Sequence, residues 1–168
     1  MLTGQEREAF ALKVIDEVRR WPGVEMRPHA SGETAGESDG VEFRLYGRQI
    51  GHIHGDCGVH LSLTKALKHC VVAEHLAEPL DDASTQGWTM FNPTCGEDAE
   101  HAIWLFRLNY VRLRRQRMSP DAAAASELLR VHHDALRKVS PTISEVLELT
   151  QARTKPRPLP SFEEPLEA

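Results

Sequence analysis

Three of the nine histidines, an aspartate and a cysteine fall within twelve residues of this 168-residue chain, Gln49-Ile50-Gly51-His52-Ile53-His54-Gly55-Asp56-Cys57-Gly58-Val59-His60. Imidazoles bind metals, move protons and titrate near neutral pH, so chemistry is expected here first. On a strand, His52-x-His54 presents two rings side by side, a recurring metal arrangement. Asp56 extends it to His-x-His-x-Asp, so a metal here would take His52, His54 and Asp56, with His60, Asp81 or Asp82 completing the set. No second fixed-spacing element such as His-Glu-x-x-His accompanies the run. Hydrogen-bonded strand histidines therefore outrank a metal centre, and no cofactor is expected. Cys57 ranks lower as a nucleophile, because it sits in a turn with no helix N-terminus to acidify it. Neither a Gly-x-Ser-x-Gly elbow nor a phosphate-binding glycine loop occurs.

The remaining histidines read as structural. His69, His75 and His101 fall on helix surfaces or edges, and His132 and His133 are helical neighbours that point in different directions. Trp21, Trp88 and Trp104 are core candidates, with Trp88 also placed to wall a pocket.

The periodicities around the histidine run define an α+β chain. Residues 5–20 carry Phe10, Val14 and Val18 at helical spacing, and Trp21-Pro22-Gly23 stops that helix. Residues 24–29 form a short strand and 31–40 a polar loop. Residues 41–46 alternate as a half-buried strand; Gly47-Arg48 turns the chain and 49–54 returns antiparallel. After a turn at 55–58, residues 59–63 add a third strand. Thr64 caps a helix running to about residue 77, and 78–86 is a loop. Residues 87–92 form another strand, and a long helix follows over about 97–117, its buried stripe Ile103, Phe106, Tyr110 and Leu113. Ser119-Pro120 and Ser140-Pro141 each pair a capping serine with a first-turn proline, which predicts helices at 120–138 and 141–152. The architecture expected is an antiparallel meander of four to five strands packed on helices, with additional C-terminal helices. Its units are an α+β domain over 1–118, a helical extension over 119–152 and a proline-rich tail over 153–168.

Strand alternation places His52 and His54 on one face with Ile50. A hairpin at Gly47-Arg48 makes that the face of Val41, Phe43 and Leu45, the packed one. A four-residue loop at 55–58 then sets His54 opposite Val59 and sends His60 to the other side; a three- or five-residue loop gathers all three histidines on one face. The apolar pattern favours the four-residue loop, because register follows burial.

With 20 basic and 25 acidic residues the formal charge is -5, against the basic footprint that nucleic-acid binding needs. The run Arg107, Arg112, Arg114, Arg115, Arg117 suits a helix C-terminus. Three cysteines without a Cys-x-x-Cys argue against a disulfide framework or a thiolate zinc site. No signal-like or membrane-spanning apolar run is present, so a cytoplasmic location without membrane partners is expected.

The run from Gly40 to Asp56, followed by His60-Leu61-Ser62-Leu63, Val72-Ala73-Glu74, Ala77-Glu78-Pro79, Gly87-Trp88 and the helix bearing Trp104-Leu105-Phe106-Arg107-Leu108, resembles the luciferase-domain proteins. These include the fungal luciferases and many short bacterial proteins of unknown function. The resemblance covers roughly residues 20–115. It implies a compact α+β domain and, from the fungal members, oxidation of a hydroxylated pyrone by oxygen without flavin or nicotinamide. His54 and His60 match the family's paired histidines flanking a turn, and His52 matches the bacterial form. Bacterial relatives often carry a histidine after the Glu-Pro step, where this chain has Leu80-Asp81-Asp82.

The resulting expectation is a protein that binds a small aromatic or oxygenated ligand, with an oxygen-using oxidoreductase activity implied by the resemblance. His52, His54 and His60 would carry the chemistry by deprotonating an enol or phenol. Arg44 or Arg48 would stabilise the anion, and Phe43 and Trp88 would stack on the ring. Two alternatives stand beside it. One is a noncatalytic binding or assembly module, self-associating through the C-terminal helices. The other, ranked lowest, is a metal-assisted hydrolase.

Overall fold

An antiparallel sheet is laid down around two short turns of the chain, and its helices collect on one side. A computed structural model describes residues 2–30, 38–80, 86–117, 132, 134–136 and 139–152. Helix α1 is Gly4–Val18; strands β1 to β4 are Val24–Ala30, Ser38–Leu45, Arg48–His54 and Val59–Ser62. Helix α2, Lys65–Ala73, precedes β5, Glu78–Pro79, and β6, Trp88–Phe91. Helices α3, Asp98–Arg117, and α4, Pro141–Ala152, complete the order. The six strands run β1-β2-β3-β4-β6-β5, every neighbouring pair antiparallel. The architecture is α+β as expected, with one strand more than anticipated. That strand is β5, cut from a segment that reads as loop; among the described residues of that segment, Glu78 and Pro79 pair with β6.

Local signals set the helix starts. Thr3 and Glu6 form a reciprocal capping box at α1, and Thr64 accepts the Leu67 N–H at α2. Ser140 accepts the Ile143 N–H at the start of α4, with Pro141 in the first helical position as the sequence predicts. The counterpart at Ser119-Pro120, most of the helix expected over 120–138, and the tail from 153 lie outside the described residues. Helix α3 is buried on nearly all sides, from Ala99 through Leu113, because the sheet, α1 and α4 each cover part of it. Its Phe106 meets Phe43 of β2 edge-on at 5.2 Å. Ile143 and Leu147 of α4 enter the same core, so this C-terminal helix is packed into the body of the fold.

The β2–β3 hairpin departs from the expected register, and the departure decides which way the histidines point. The turn is Tyr46-Gly47, one residue earlier than Gly47-Arg48, with φ of 54° and 75°. Both central residues thus have the positive φ of a tight hairpin turn whose twist suits its strands. Tyr46 is held there by a hydrogen bond from Arg114 to its hydroxyl. That shift alone would keep His52 and His54 on the packed face. The pairing then slips between Phe43 and Arg44: Arg44 faces Gln49, but Phe43 faces Gly51, leaving Ile50 as an extra residue. One extra residue exchanges the two faces of everything beyond it. Ile50 and Ile53 go to the core, and His52 and His54 go to the sheet's outer face.

A buried polar contact holds the bulge. Asn109, in the middle of α3, donates from Nδ2 to the Ile50 carbonyl at 2.6 Å and to the Ser62 carbonyl at 2.9 Å. Its Oδ1 accepts from Arg112 Nε at 2.8 Å. Gly51 makes room beside it: a Cβ there would lie 2.4 Å from the His60 carbonyl and 2.8 Å from the Phe106 ring.

Candidate functional site

The β3–β4 connection completes the gathering of the histidines. Ile53 pairs with Val59 and His52 with His60, which leaves five residues between the last paired positions. The four-residue loop favoured by the apolar pattern is therefore not the one formed, and His60 does not point away. Asp56 Oδ1 accepts the Gly58 N–H and Cys57 adopts a φ of 75°, which closes the longer turn. His52, His54 and His60 consequently share the outer face.

Their side chains converge. His52 Nε2 lies 3.0 Å from His54 Nε2 and 3.1 Å from His60 Nδ1, and the last two nitrogens are 3.2 Å apart. The three ring planes are steeply inclined to one another, at 82°, 64° and 70°. His29 of β1 stacks on His52 with centroids 3.7 Å apart and stands edge-on to His54 at 5.3 Å, and Trp88 of β6 stands 5.4 Å from the His52 ring. His29, His52 and His54 each offer a ligand atom within 4.8 Å of the others, a looser grouping than the triangle His60 completes.

An outer layer fixes the rings. His54 Nδ1–H donates to Asp39 Oδ2 at 2.8 Å, and the other Asp39 oxygen accepts the Gly55 N–H. Asp39 is placed by Gly40, whose φ of 125° and close approach to the Ile53 carbonyl exclude a side chain. The Gln49 carboxamide lies 2.9 Å from His52 Nδ1. Glu42, opposite His52 on β2, lies 3.7 Å from His29 Nδ1 and accepts from Arg44 at 2.9 Å.

The electrostatics keep the centre of the cluster uncharged. Burial pushes His52 down to about 3, helped by the neighbouring His29, His54 and His60, while Asp39 opposes the shift. Burial also lowers His60, with His54 adding to it and Asp56 opposing. The hydrogen bond from His54 holds the Asp39 carboxyl below the usual carboxylate range. At neutral pH His52 and His60 thus carry lone pairs, available to a hydroxyl group or a metal ion.

Of the residues singled out in the sequence, His52, His54, His60 and Trp88 come together. Phe43 does not join them: it is fully buried on the opposite, helix-covered face against Phe106, so it cannot stack on a ligand at the histidines. Arg44 is committed to Glu42 and, through Nη2, to the Gly47 carbonyl. Arg48 sits exposed at the start of β3; burial lowers the pKa of Arg112, and the nearby Arg48 charge adds to that. The carboxylate hydrogen-bonded to the cluster is Asp39, with Asp56 engaged in the turn. Asp81 and Asp82 lie outside the described residues. Cys57 faces α1, its thiol donating to the Arg7 carbonyl and pushed up by burial, so it forms no pair with a histidine. His101 hydrogen-bonds the Leu76 carbonyl and His132 packs on Trp21 and Tyr110; neither approaches the cluster.

The sequence reading missed His29, Asp39 and Gln49. His29 is two residues beyond Arg27, which pairs with Glu42, which pairs with His52; only the strand order reveals that shared face. A groove of about 460 Å³ runs between α1 and the ends of β2 and β3, lined by Arg7, Ala11, Val41 and Ile53 among others. It reaches the cluster only through His54.

Residues 47–109 match the family model described as Luciferase domain. That span runs from the β2–β3 turn to Asn109, so it includes His52, His54, His60, Trp88 and the residue that holds the bulge. It bears out the resemblance seen in the sequence. No curated protein and no solved structure matches the chain. No described helix is long and apolar enough to cross a membrane.

Proposed function

We propose that this protein binds a small aromatic or oxygen-rich molecule with an acidic hydroxyl, an enol or phenol, at the His52–His54–His60 cluster and oxidises it with molecular oxygen. One observation carries the reading: three imidazole nitrogens converge on the sheet's outer face, inside the segment that matches the luciferase domain. A hydroxyl directed there meets a ring nitrogen that holds a lone pair, and Trp88 supplies an aromatic wall beside it. Loss of the hydroxyl proton leaves an electron-rich anion. A carbon of that anion gives an electron pair to oxygen, forming a carbon–oxygen bond as the former hydroxyl becomes a carbonyl; the proton taken from the hydroxyl returns to the peroxide, so enol plus O2 gives a hydroperoxide and neither flavin nor nicotinamide enters the balance.

The test is oxygen uptake by purified protein with a panel of hydroxypyrones and catechols. His54→Ala and His60→Ala should each lower kcat by about 100-fold or more while the far-UV spectrum is unchanged. Full turnover by both variants would contradict the proposal. Binding of a panel member without oxygen uptake would favour a noncatalytic binding module.

A further inference from the structure

Three imidazole nitrogens in mutual contact cannot all be satisfied by hydrogen bonds. Each nitrogen of a neutral ring is either an N–H donor or a lone-pair acceptor. Among three, at least two are alike, and that pair opposes two N–H groups or two lone pairs. His54 narrows the choice, because its Nδ1–H is given to Asp39 and in the neutral ring Nε2 then holds the lone pair. One neighbour can donate to it, yet a like pair 3.0 to 3.2 Å apart remains in every arrangement. A cation at the centre removes the conflict by accepting all three lone pairs.

The dimensions agree. For metal–nitrogen bonds of about 2.0–2.1 Å, the observed triangle gives nitrogen–metal–nitrogen angles of roughly 90–100°. The ion would stand about 1 Å out of the plane of the nitrogens, with coordination positions left open. The ring centres test the aim of the lone pairs independently. Extending each bond by about 1.1 Å to the ring centre predicts centroid separations of about 4.7 Å for rings radiating from one point. The observed separations are 4.7, 4.9 and 4.6 Å. The outer layer also has the right form: a metal-bound histidine gives its other N–H to a carboxylate or carbonyl. Asp39 does this for His54; the Gln49 carboxamide, whose Nε2 lies 2.9 Å from His52 Nδ1, would do it for His52 once the amide is rotated by 180° to present its oxygen.

We propose that His52 Nε2, His54 Nε2 and His60 Nδ1 form a three-histidine site for a divalent first-row transition-metal ion. Asp39 and Gln49 orient the ligands, and His29 and Trp88 flank the site. The all-nitrogen, uncharged donor set excludes Mg²⁺ and Ca²⁺, which require oxygen ligands, and suits iron, copper, nickel, cobalt or zinc. It differs from the set read from the sequence in taking His60 where that reading took Asp56. The inference rests on the proposed function in one respect: the open positions would receive the hydroxyl oxygen of the small-molecule ligand.

The experiment uses full-length protein without a histidine tag, stripped with a chelator and titrated with Co²⁺ and Zn²⁺ by absorption spectroscopy and calorimetry. One ion per chain should bind, with cobalt ligand-field bands, and Mg²⁺ and Ca²⁺ should not. His52→Ala and His60→Gln should each weaken binding at least about 100-fold, and Asp39→Ala about 10- to 100-fold. His69→Ala, exposed on α2, should leave it unchanged. Zn²⁺ should raise the melting temperature of the wild type but not of His60→Gln, which separates ligand loss from misfolding. Absence of stoichiometric binding by the stripped wild type, or unchanged binding in both His52→Ala and His60→Gln, would overturn the site. Stripped protein that binds no ion yet takes up oxygen with a panel compound would overturn this inference and leave the proposed function standing. One ion bound with no turnover of any panel compound would do the reverse.

Discussion

His132 shows what distinguishes a buried histidine from one in a site. Its ring sits on Trp21 and Tyr110, its Nδ1 has no hydrogen-bond partner among the described residues, and burial lowers its pKa to about 4. The folded value lies below the ordinary 6.5, so the unfolded chain takes up the proton first. Its contribution to stability is complete above pH 6.5, declines as the pH falls toward 4, and is gone below that. In His132→Phe, urea midpoints should fall less between pH 7 and pH 4.5 than in the wild type. At pH 7 the variant should be no less stable, because an unpaired buried nitrogen is replaced by carbon. Equal loss in both proteins would contradict this. The contrast with His52, His54 and His60 explains what was legible at this scale. Density in sequence picked out three histidines that the fold brings together, whereas Asp39 and His29 come from strands whose pairing brings them across the sheet, and neither spacing nor composition signals them.

At the scale of elements, the bulge at Ile50 decides which face of the sheet carries the histidines. Alternation read correctly that β2 and β3 form a hairpin, and it assigned His52 and His54 to a common face. It chose the wrong face, because an unpaired residue leaves no mark on an apolar-polar pattern in which Ile50, Ile53 and the histidines can be read either way. The signal lay 59 residues away, in Asn109, a polar side chain that with Arg112 interrupts the buried apolar residues of α3. Asn109→Leu would leave the Ile50 and Ser62 carbonyls and Arg112 without this partner. It should cost about 2 kcal/mol or more in chemical denaturation, and should broaden or shift the imidazole resonances of His52 and His60. A second variant tests the same joint from the other side. Gly51→Ala forces a methyl group against the His60 carbonyl and Phe106, and should destabilise by about 1–3 kcal/mol. Near-wild-type stability in both variants would mean that the bulge does not depend on these contacts.

Across the whole molecule the two faces of the sheet divide the labour. Helices α1 and α3 pack on one face and α2 and α4 seal the core around α3; the histidines and Trp88 lie on the other. Truncating Ile143, fully buried in α4, to alanine should cost about 2–4 kcal/mol while leaving the geometry of the cluster intact, because the core lies between them. The separation also sets the most direct test of the central claim, that the outer face is the seat of function. The measurement is ¹⁵N imidazole spectroscopy of the histidines during titration with the hydroxypyrone and catechol panel. The account predicts that a bound compound perturbs His52, His54 and His60 together while His101 and His132 stay unchanged. Unmoved cluster resonances, with backbone shifts confined to Arg7, Ala11 and the groove beneath α1, would contradict it.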